Sequence, residues 1–584
     1  MKSLYSNILL LASLRHAESW VLPSARLRSA KTRSLPSGLS SASSSPLLGG
    51  GGNRGRNSGK RLSKGLQLDA AKSGDSTWDL VKSVLTLGVK KKKPEEVEVA
   101  IIGAGVAGLV CARILTRGGF SVKLLEASDG VGGRVRTDEV DGFLLDRGFQ
   151  VFIEAYPEPT RQLNYKKLNL KKFDPGAVVR YDGGFHLVSD PIRKPGAILD
   201  ALVAPVGTLV DKIRVGLHRI AIVFQKDEEI FRAPEETTYD FLTGTLGLTE
   251  SMVTRFFAPF YQGIFLSPLE EQSSLLFNFV FKMFSVGAAS LPEGGMGEVP
   301  KQIANDLPEG CLQLNTKVVS MEKIEDDDDG GEEALLPSGS FDGSPRVQLT
   351  LADGSELLAQ AAVVATEAPA AAKLLGEEVA LAGGASPSKG RSSTCLYFAI
   401  DGPAPVGVGP ILVLNGEGEK SSGPVNNVVF LEETAPSYAP EGKSLASVTV
   451  VGNPDCSDSE LEARVRSHLA EWFDTQKEDG AAGNSGLPTR GTDVAEWKHL
   501  RTYRVPYAQP AQTPPVRDGG FYGRKVQVED GIFVCGDHRA TPTLDGALKS
   551  GVLAGEAVTT DLIMESRPIV RKGRPYRRRK QVQV

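Results

Sequence analysis

The sequence contains few cysteines and histidines. Its 584 residues include six histidines and five cysteines, and the cysteines are Cys111, Cys311, Cys395, Cys456 and Cys535. Because no two cysteines form a C-x-x-C pair, the spacing indicates reduced thiols rather than a disulfide framework or a zinc site. The histidines show no metal-ligand spacing, and no H-E-x-x-H motif, Ser-His-Asp set or P-loop occurs. The sequence therefore predicts no metal site.

Long apolar runs and a strong net charge are also absent. No uninterrupted apolar run reaches the roughly 18 residues that a membrane span needs, which predicts a soluble or peripheral mature protein. The formal net charge of -4 is small for this length and gives no reason to expect nucleic acid as a partner. Apolar residues make up 41% and charged residues 24%, as in ordinary globular proteins. The length predicts at least two domains.

Acidic residues are almost missing from the N-terminal region. A short apolar stretch at 8–14 is followed by the small-x-small junction Ala17-Glu18-Ser19, and residues 20–64 are rich in Ser, Arg and Gly. The first pattern is typical of a weak signal peptide and the second of a transit peptide. Residues 17–23 resemble the junction of bipartite presequences in algae with secondary plastids. We therefore expect residues 1–95 to be a plastid (chloroplast) presequence and linker; the alternative is a disordered N-terminus with an accidental leucine cluster.

A strand–turn–helix pattern follows this region. The apolar run at 98–102 has the character of a buried parallel strand, and a helical pattern continues to Arg117. Between them lie Gly103, Ala104, Gly105, Val106, Ala107 and Gly108. Gly103 permits the tight turn, Gly105 lets the backbone approach a pyrophosphate, and Gly108 allows close packing of helix and strand. The N–H groups at the helix N-terminus would bind the phosphates.

An acid and a second glycine-rich segment narrow the choice of dinucleotide. Glu126 ends the next strand, 122–125, where a carboxylate accepts hydrogen bonds from ribose hydroxyls and would repel the 2′-phosphate of NADP. The segment 126–134 resembles the GG motif of the flavin amine oxidase, protoporphyrinogen oxidase and carotenoid (phytoene) desaturase superfamily. The resemblance implies that this loop closes over the pyrophosphate of FAD and that 146–151 passes near the isoalloxazine ring. The implied binding residues are Gly132, Gly133, Arg134, Gly148, Phe149 and Gln150.

The C-terminal region resembles the last FAD motif of the same superfamily. The buried strand 531–535 runs into Gly536 and Asp537, and the resemblance implies that Asp537 binds the ribityl or pyrophosphate part. The backbone of Asp545, Gly546 and Ala547 opens a helix that would face the N1–C2=O edge, where reduced flavin gathers negative charge. The alternative is a separate structural strand–helix pair. The predicted FAD site would therefore combine segments that are distant in sequence, one near residue 103 and one near residue 537.

A third FAD-binding piece is expected between these motifs. The strand predicted at 312–320 resembles the element whose backbone, near Val318, pairs with adenine. A hairpin is predicted at 347–360, and 361–366 is expected to re-enter the sheet as a further strand. The acidic stretch 325–345 is interpreted as a disordered loop insertion rather than a metal site.

The remaining segments predict a substrate domain. Residues 185–300 are helical in pattern and rich in phenylalanine, whereas 392–455 alternates as a sheet does. The aromatic residues indicate a core, with a share that lines an apolar tunnel. Superfamily members bring substrate-facing residues to the flavin from the segment before the last motif. That segment makes Lys498, Tyr503 and Tyr507 candidate catalytic residues, each with a structural role as the alternative.

The predicted fold class is α/β, with a non-contiguous, Rossmann-like FAD-binding domain and an inserted α+β substrate domain. Non-covalent FAD is expected, because no cysteine lies in a recognisable attachment motif. The resemblance implies an FAD-dependent oxidoreductase that transfers hydride from an apolar plastid substrate, such as a carotenoid or tetrapyrrole, to flavin. Oxygen or a quinone would then reoxidise the reduced flavin. The alternatives are a flavin amine oxidase and a non-catalytic FAD-binding protein.

Domain boundaries follow from the same patterns. The basic tail is interpreted as a disordered end or as a peripheral contact with an anionic membrane. The predicted segments are 1–95 (presequence and linker), 96–184, 291–370 and 496–565 (FAD-binding domain), 185–290 (helical part of the substrate domain), 371–495 (its sheet part) and 566–584 (basic tail).

Overall fold

The computed structural model describes residues 93–190, 193–194, 204–324, 344–376, 390–407, 409–418, 421, 423–474, 490, 492–516 and 524–565. The expected presequence, the basic tail and most of the acidic insertion lie outside these residues. No helix within this part of the chain is both long and apolar enough to cross a bilayer.

The strands of the described residues are numbered in chain order. They are β1 Glu95–Ile102, β2 Val122–Leu125, β3 Thr137–Val140, β4 Phe143–Asp146, β5 Phe152–Ile153, β6 Lys171–Lys172, β7 Gly176–Tyr181, β8 Gly184–Ser189, β9 Ala289–Leu291, β10 Leu312–Gln313, β11 Val318–Lys323, β12 Val347–Leu351, β13 Glu356–Val364, β14 Gly390–Asp401, β15 Val413–Asn415, β16 Asn427–Phe430, β17 Lys443–Val451, β18 Lys498–Pro510, β19 Gln527–Glu529 and β20 Ile532–Val534.

The α-helices are numbered in the same way. They are α1 Val106–Arg117, α2 Pro157–Gln162, α3 Tyr165–Leu168, α4 Leu209–Phe224, α5 Asp227–Phe231, α6 Thr238–Asp240, α7 Glu250–Met252, α8 Ala258–Phe265, α9 Ser274–Val286, α10 Glu298–Ala304, α11 Ala368–Leu375, α12 Leu431–Thr434, α13 Asp458–Phe473 and α14 Leu544–Glu565. Two π-helical turns, Phe241–Thr245 and Val253–Phe257, follow α6 and α7.

The first sheet combines both ends of the described chain. Its order is β10-β2-β1-β13-β12-β11, with β20 paired to β13 and β19 to β20. Strand β1 runs parallel to β2 and β13, and its last four residues are buried, as expected of a strand covered on both faces. Helices α1 and α14 pack against each other on one face. A Rossmann-like arrangement of non-contiguous segments is therefore confirmed.

Two predictions for this sheet need correction. The hairpin strand 356–360 and the returning strand 361–366 form one strand, β13, whose first part pairs with β12 and whose last part pairs with β20. The strand expected at 312–320 is two strands, because Asn315 adopts a left-handed conformation with φ of +54°. Asparagine tolerates that conformation better than most residues, and the chain turns there between β10 and β11.

The second sheet has the order β18-β14-β17-β16-β15-β7-β8. Its strands contain many β-branched and aromatic residues, and α13 buries Leu461, Val465 and Leu469 in the apolar cluster shared with them. The expected domain boundary at 184 falls inside the hairpin of β7 and β8, and the boundary at 496 precedes β18. Since both elements pair within this sheet, they lie with the second sheet and not with the first.

Helices α4 to α9 form the helical region expected between residues 185 and 290. Aromatic rings dominate its core: Tyr261 lies against Phe277 with ring centroids 4.6 Å apart, and Phe257 lies 6.0 Å from Phe277. These pairs adopt the tilted arrangements that the ring quadrupole favours. The region shares an apolar cluster with β7 and β15, so helices cover a sheet in this half of the molecule.

Candidate functional site

The turn between β1 and α1 requires glycine at two positions. Gly103 has a φ of +104°, and a Cβ there would meet the carbonyl oxygen of Ala365 at 3.0 Å. A Cβ on Gly108 would lie 2.0 Å from the carbonyl oxygen of Gly103. Val106 and Ala107 begin the helix and are buried. The chain thus enters α1 in a turn that presents the helix N-terminus at the end of β1.

Gly105 needs to be small for a different reason. Its φ is -68°, which any residue adopts, and a Cβ built there would meet nothing within 4 Å. It forms a parallel bridge with Gly132, whose N–H donates to the carbonyl of Ala104 at 2.8 Å. Gly133, at φ +59°, lies beside Gly105: a Cβ added to Gly133 would be 3.7 Å from the Gly105 Cα. The two glycine-rich loops therefore line one open cradle.

Glu126 holds this cradle in shape. Its Oε2 accepts a hydrogen bond from the backbone N–H of Ala104 at 2.7 Å. Its Oε1 accepts from the backbone N–H and the hydroxyl of Ser128, at 2.9 and 2.7 Å. The backbone N–H of Thr316 donates to the Glu126 carbonyl at 2.7 Å, which brings Val318, two residues further on, toward the same edge of the sheet.

Arg134 connects the N-terminal loop to the C-terminal motif. Its guanidinium forms an ion pair with Asp537 at 2.8 Å and donates to the carbonyl of Ala508 at 2.6 Å. The Gln150 amide in turn donates to the Arg134 carbonyl at 2.8 Å. Burial of Asp537 opposes ionisation, but the adjacent Arg134 prevails and holds the pKa of that carboxyl below its usual value.

The start of α14 lies beside this ion pair. Gly536 has a φ of +143°, and its N–H donates to the Ser550 hydroxyl at 2.8 Å. A Cβ on Gly546 would lie 2.0 Å from the carbonyl of Thr541, so this helix turn also requires glycine. Ala547 is buried, and its N–H donates to the carbonyl of Thr543.

The side chain of Asp545 has a structural contact. Its Oδ1 accepts from the backbone N–H of Glu158 at 2.7 Å, at the start of α2, and burial raises the pKa of this carboxyl to about 6. The carboxyl therefore fixes α2 against α14. A cofactor contact at Asp545 would fall to its backbone, as the sequence predicted.

Buried polar atoms at the C-terminal motif lack a hydrogen-bond partner among the described residues. They include Oδ1 of Asp537 and both ring nitrogens of His538, a residue that is 5% exposed and whose Nδ1 lies 4.0 Å from that Oδ1. Burial lowers the pKa of His538 to about 4, so its imidazole is neutral near pH 7. Unsatisfied buried polar atoms are rare and require a partner. Together with the open space above Gly105, they fit FAD, whose ribityl and pyrophosphate groups offer donors and acceptors.

Sequence reasoning missed two residues of this cluster. His538 follows Asp537 directly, and its place inside the motif was the available signal. Glu367, just after β13, faces Arg134 and Asp537; burial raises its pKa, and the Asp537 charge acts in the same direction. It lies beyond the carboxyl end of a parallel strand, which is where ligands bind open α/β sheets.

The three candidate catalytic residues lie in different surroundings. The Lys498 ammonium is exposed and pairs with Asp141 at 2.8 Å. The Tyr503 hydroxyl donates to Asp138 at 2.7 Å, so both contact the hairpin of β3 and β4. The Tyr507 ring is buried and lies 6.0 Å from the Arg134 guanidinium, and burial raises its pKa. The structure brings Tyr507, but neither Lys498 nor Tyr503, to the Arg134–Asp537 cluster.

Gly148 and Phe149 lie between the β3–β4 hairpin and the second sheet. Gly148 has a φ of +98°, and its N–H donates to the carbonyl of Asp146. The Tyr397 hydroxyl of β14 donates to the same carbonyl at 2.8 Å. Phe149 packs against the apolar cluster that contains Tyr397. The predicted flavin-ring segment thus borders the second sheet.

A half-buried apolar row lies on the helical region. Phe256, Phe260 and Ile264 follow one face of the helical segment at four-residue spacing, and the rings of Phe256 and Phe260 are stacked 5.8 Å apart. At the end of the row, the Ile264 carbonyl accepts from the Gln509 amide at 2.6 Å. Gln509 follows Ala508, whose carbonyl binds Arg134. The backbone at the end of the row is therefore linked to Arg134 through Gln509 and Ala508.

Comparison with known proteins gives one family match over most of the chain. The model of the family described as flavin containing amine oxidoreductase matches residues 106–559. This span includes the first glycine-rich turn from Val106 onward, the GG loop and the C-terminal motif.

Curated relatives match shorter stretches. An L-amino acid dehydrogenase of Synechocystis is 26% identical over 275 residues, which covers 42% of this chain and 53% of the relative. A coproporphyrinogen III oxidase of Propionibacterium freudenreichii is 28% identical over 30% of this chain and 32% of the relative. A 15-cis-phytoene desaturase of an Oncidium hybrid is 38% identical over 15% of this chain and 14% of the relative. The chain spans about half, or less, of these relatives.

Solved structures share the fold. A putative protoporphyrinogen oxidase of Exiguobacterium aligns with a TM-score of 0.56 and 16% identity, over 80% of this chain and 99% of that one. Wild-type putrescine oxidase bound to putrescine aligns with a TM-score of 0.53 and 16% identity, over 80% and 99%. At this identity the likeness concerns the fold alone.

Proposed function

The chain belongs to the flavin containing amine oxidoreductase family, and on that premise we propose that it oxidises an apolar plastid substrate, such as a carotenoid or a tetrapyrrole. Its cofactor is FAD, and it is an FAD-dependent oxidoreductase. When bound, FAD accepts a hydride from a substrate C–H bond and passes the electrons to an acceptor. The protein's part is to bind, orient and shield the reacting groups.

The observation that carries the proposal is the apolar row of Phe256, Phe260 and Ile264. Its last residue is linked to Arg134 through Gln509 and Ala508, and its three side chains are half-buried and uncharged. Such a surface favours a hydrophobic substrate, because burying apolar area contributes about 25 cal/mol per Å². A charged amine would lose its hydration there without gaining a counter-ion from the row.

The chain's own residues account for the rest of the chemistry. Arg134 supplies positive charge beside the predicted pyrophosphate position, and Glu126 and Asp537 supply acceptors for sugar or ribityl hydroxyls. The N–H groups of Gly546 and Ala547 donate to Thr543, so α14 would stabilise negative charge at the predicted flavin edge through the dipole of its N-terminus. Loss of a hydride from an apolar C–H bond leaves a carbocation, and the new double bond forms when the adjacent carbon releases a proton to water or to a basic side chain.

Anaerobic reduction of the purified protein tests the substrate class. A panel of a carotenoid, a porphyrinogen and a primary amine would be added in turn, and the flavin absorbance near 450 nm recorded. Bleaching by the carotenoid or the porphyrinogen, and not by the amine, is the expected result. Readmission of oxygen or of a quinone then identifies the acceptor by return of the colour. Acid precipitation that leaves yellow flavin in the supernatant would support non-covalent binding.

Amine oxidation is the second candidate function. The family match and the relatives named as amino acid oxidases and putrescine oxidase favour it. Bleaching by an amine alone would replace the apolar-substrate proposal with this one. If FAD binds but no member of the panel reduces it, a non-catalytic FAD-binding role is favoured instead.

A plastid location is proposed on the composition of residues 1–95. A fusion of these residues to a fluorescent protein, expressed in an alga with a secondary plastid, is expected to enter the plastid. Sequencing of the N-terminus of the mature protein should then start after the presequence. Retention of the fusion in the cytosol would contradict the proposal.

A further inference from the structure

Four buried polar atoms near the start of β14 lack a hydrogen-bond partner within the described part of the chain. They are the amide oxygens of Gln272, Gln509 and Gln512 and the Nε of Arg391. Gln272 is 1% exposed and Gln512 is 7% exposed, whereas Gln509 and Arg391 are half-buried. We call these four residues the Arg391 cluster. Because buried polar atoms without a partner are rare in folded proteins, the cluster requires an explanation.

The four residues lie around one guanidinium. Arg391 on β14 is opposite Gln509 on β18, and residues that are opposite each other on antiparallel strands project on the same face of the sheet. The Arg391 guanidinium also forms an ion pair with Glu271 and donates to the Thr513 hydroxyl at 3.3 Å. Each of these two residues is adjacent in sequence to a glutamine of the cluster. The guanidinium therefore holds the three glutamines near one another.

The C-terminal end of α8 fixes the orientation of two of the amides. The Gln509 amide nitrogen donates to the carbonyl of Ile264 at 2.6 Å, and that of Gln272 donates to the carbonyl of Ser267, just after the helix, at 2.5 Å. Since both nitrogens bind carbonyls, the two amide oxygens are directed away from the helix end and stay available as acceptors. The last carbonyls of a helix add partial negative charge. The cluster is thus rich in hydrogen-bond acceptors.

The cluster is connected both to the apolar row and to the FAD site. Ile264, the last residue of the row, is the one whose carbonyl binds the Gln509 amide. A Cβ added to Gly390, which precedes Arg391, would lie 2.1 Å from the ring of Tyr507, so the two residues are packed together. That ring lies 6.0 Å from the Arg134 guanidinium. A substrate that contacts the end of the row is therefore close to these unsatisfied acceptors.

We propose that the Arg391 cluster binds neutral N–H or O–H groups of an otherwise apolar substrate, an inference that rests on the proposed function. Three amide oxygens need hydrogen-bond donors. A hydrocarbon polyene offers none, whereas a porphyrinogen has pyrrole N–H groups and a hydroxylated carotenoid has O–H groups. A protonated amine is a poorer occupant, because the Arg391 guanidinium would repel its charge. The cluster thus selects for donor groups within the apolar substrate class.

Binding to the full-length protein with photoreduced FAD tests the proposal apart from turnover, because reduced flavin cannot accept a hydride. Isothermal titration calorimetry compares two matched pairs of ligands: zeaxanthin with β-carotene, and octaethylporphyrinogen with its N-methylated form. The test variant is Gln512→Leu, which removes an amide oxygen that has no partner among the described residues. The matched control is Gln348→Leu, at a half-buried glutamine of β12 in the first sheet.

The parent and the control should bind the donor-bearing ligand of one pair at least tenfold more tightly than its donor-free counterpart, and the pair that shows this preference identifies the donor. In Gln512→Leu the preference should fall about fivefold, as expected for one hydrogen bond, while binding of the donor-free ligand stays unchanged. The thermal midpoint of this variant should not fall, because an apolar group in place of an unsatisfied buried acceptor costs little.

Equal binding within both pairs would overturn the proposal, and so would a preference that is the same in Gln512→Leu as in the parent. Tighter binding of hexylamine than of either donor-bearing ligand would also overturn it. A donor preference without bleaching of oxidised flavin by any ligand would support the cluster as a binding site and contradict the proposed oxidation.

Discussion

At the scale of single residues, the site depends on a few buried charges. Asp537 is 6% exposed and is balanced by Arg134, and Glu367 lies in the same cluster. Such an arrangement contributes little net stability while both partners are present, because each charge has lost its hydration. Removal of one partner is costly, since the other remains buried and unpaired.

Arg134→Leu is expected to destabilise the apoprotein by about 3 kcal/mol and to weaken FAD binding, because it leaves Asp537 buried without its counter-ion. Thermal unfolding and flavin titration measure the two effects. Arg117→Leu is the matched control: its ion pair with Asp306, at 3.1 Å, is largely exposed, so its loss should cost less than about 1 kcal/mol. Equal losses of stability in the Arg134 and Arg117 variants would contradict the role of Arg134 as the counter-ion of buried Asp537.

Asp146 should make stability depend on pH. Burial raises the pKa of this carboxyl from 3.8 to about 6, against hydrogen bonds from Thr137, Met296 and Tyr438. The folded protein therefore holds the proton more tightly than the unfolded chain. The contribution of Asp146 to the free energy of unfolding should fall by up to about 3 kcal/mol as the pH rises from about 4 to about 6. His218 and His538, whose pKa values burial lowers to about 4, contribute with the opposite sign in the same range.

Asp146→Asn tests this expectation. Relative to the parent, the variant should lack the fall in unfolding free energy that Asp146 contributes between pH 4 and 6, while keeping acceptor and donor groups for the same neighbours. Asp545, whose pKa is also raised to about 6, contributes equally in the parent and the variant, so the difference between their two pH curves reports on Asp146. Urea unfolding at several pH values provides the measurement. A slope identical to that of the parent would show that Asp146 is not the titrating group.

At the scale of elements, two glycines of the β1–α1 turn have different roles, one in FAD binding and the other in packing. Gly105→Ala should leave the apoprotein as stable as the parent, because the added methyl group meets no protein atom within 4 Å. It should nevertheless weaken FAD binding at least tenfold, since the methyl group would occupy the cradle. Gly108→Ala should instead cost about 3 kcal/mol, because its Cβ would lie 2.0 Å from the Gly103 carbonyl. Thermal unfolding and flavin titration of both variants separate the two effects. A loss of stability in the Gly105 variant together with unchanged stability of the Gly108 variant would contradict these roles.

The elements of the cofactor domain were predictable where local chemistry determines them. The strand–turn–helix of β1 and α1 was expected because glycines at fixed spacing permit few other conformations. The sequence predicted two separate strands where the structure has the single strand β13. Its first part pairs with β12 and its last part with β20, and these partners are not visible in the local sequence. The assignment of β18 to the second sheet depends on pairing with β14, which is distant in sequence and invisible to local patterns.

The candidate site was predictable to a similar extent. Arg134 and Asp537 were found through motifs, and the structure brings them within 2.8 Å. Lys498 is exposed at the start of β18 and Tyr507 is buried further along it, a difference that simple strand alternation does not predict because β18 pairs with β14 through two register shifts. His538 was missed because a buried imidazole without a partner is recognised only by its surroundings.

At the scale of the whole molecule, the described contacts of the site lie between residues 93 and 565. A variant restricted to these residues should therefore bind FAD with the affinity of the full chain, within about twofold. A variant that stops at residue 523 should fail, because it lacks β20, Asp537 and α14. Flavin titration and size-exclusion chromatography check both. Flavin binding by the shorter variant would show that the C-terminal segment is dispensable.

The pairing of β13 with β20 delays completion of the first sheet during biosynthesis. About 170 residues separate the end of β13 from the start of β20, and at about 5–20 residues per second a ribosome needs roughly 8–34 s to add them. Throughout that interval the last three residues of β13, all buried in the finished protein, would have no neighbour on one side. The nascent chain should therefore engage chaperones until its final segment emerges, and translation that slows late in the message should lower the yield of folded protein.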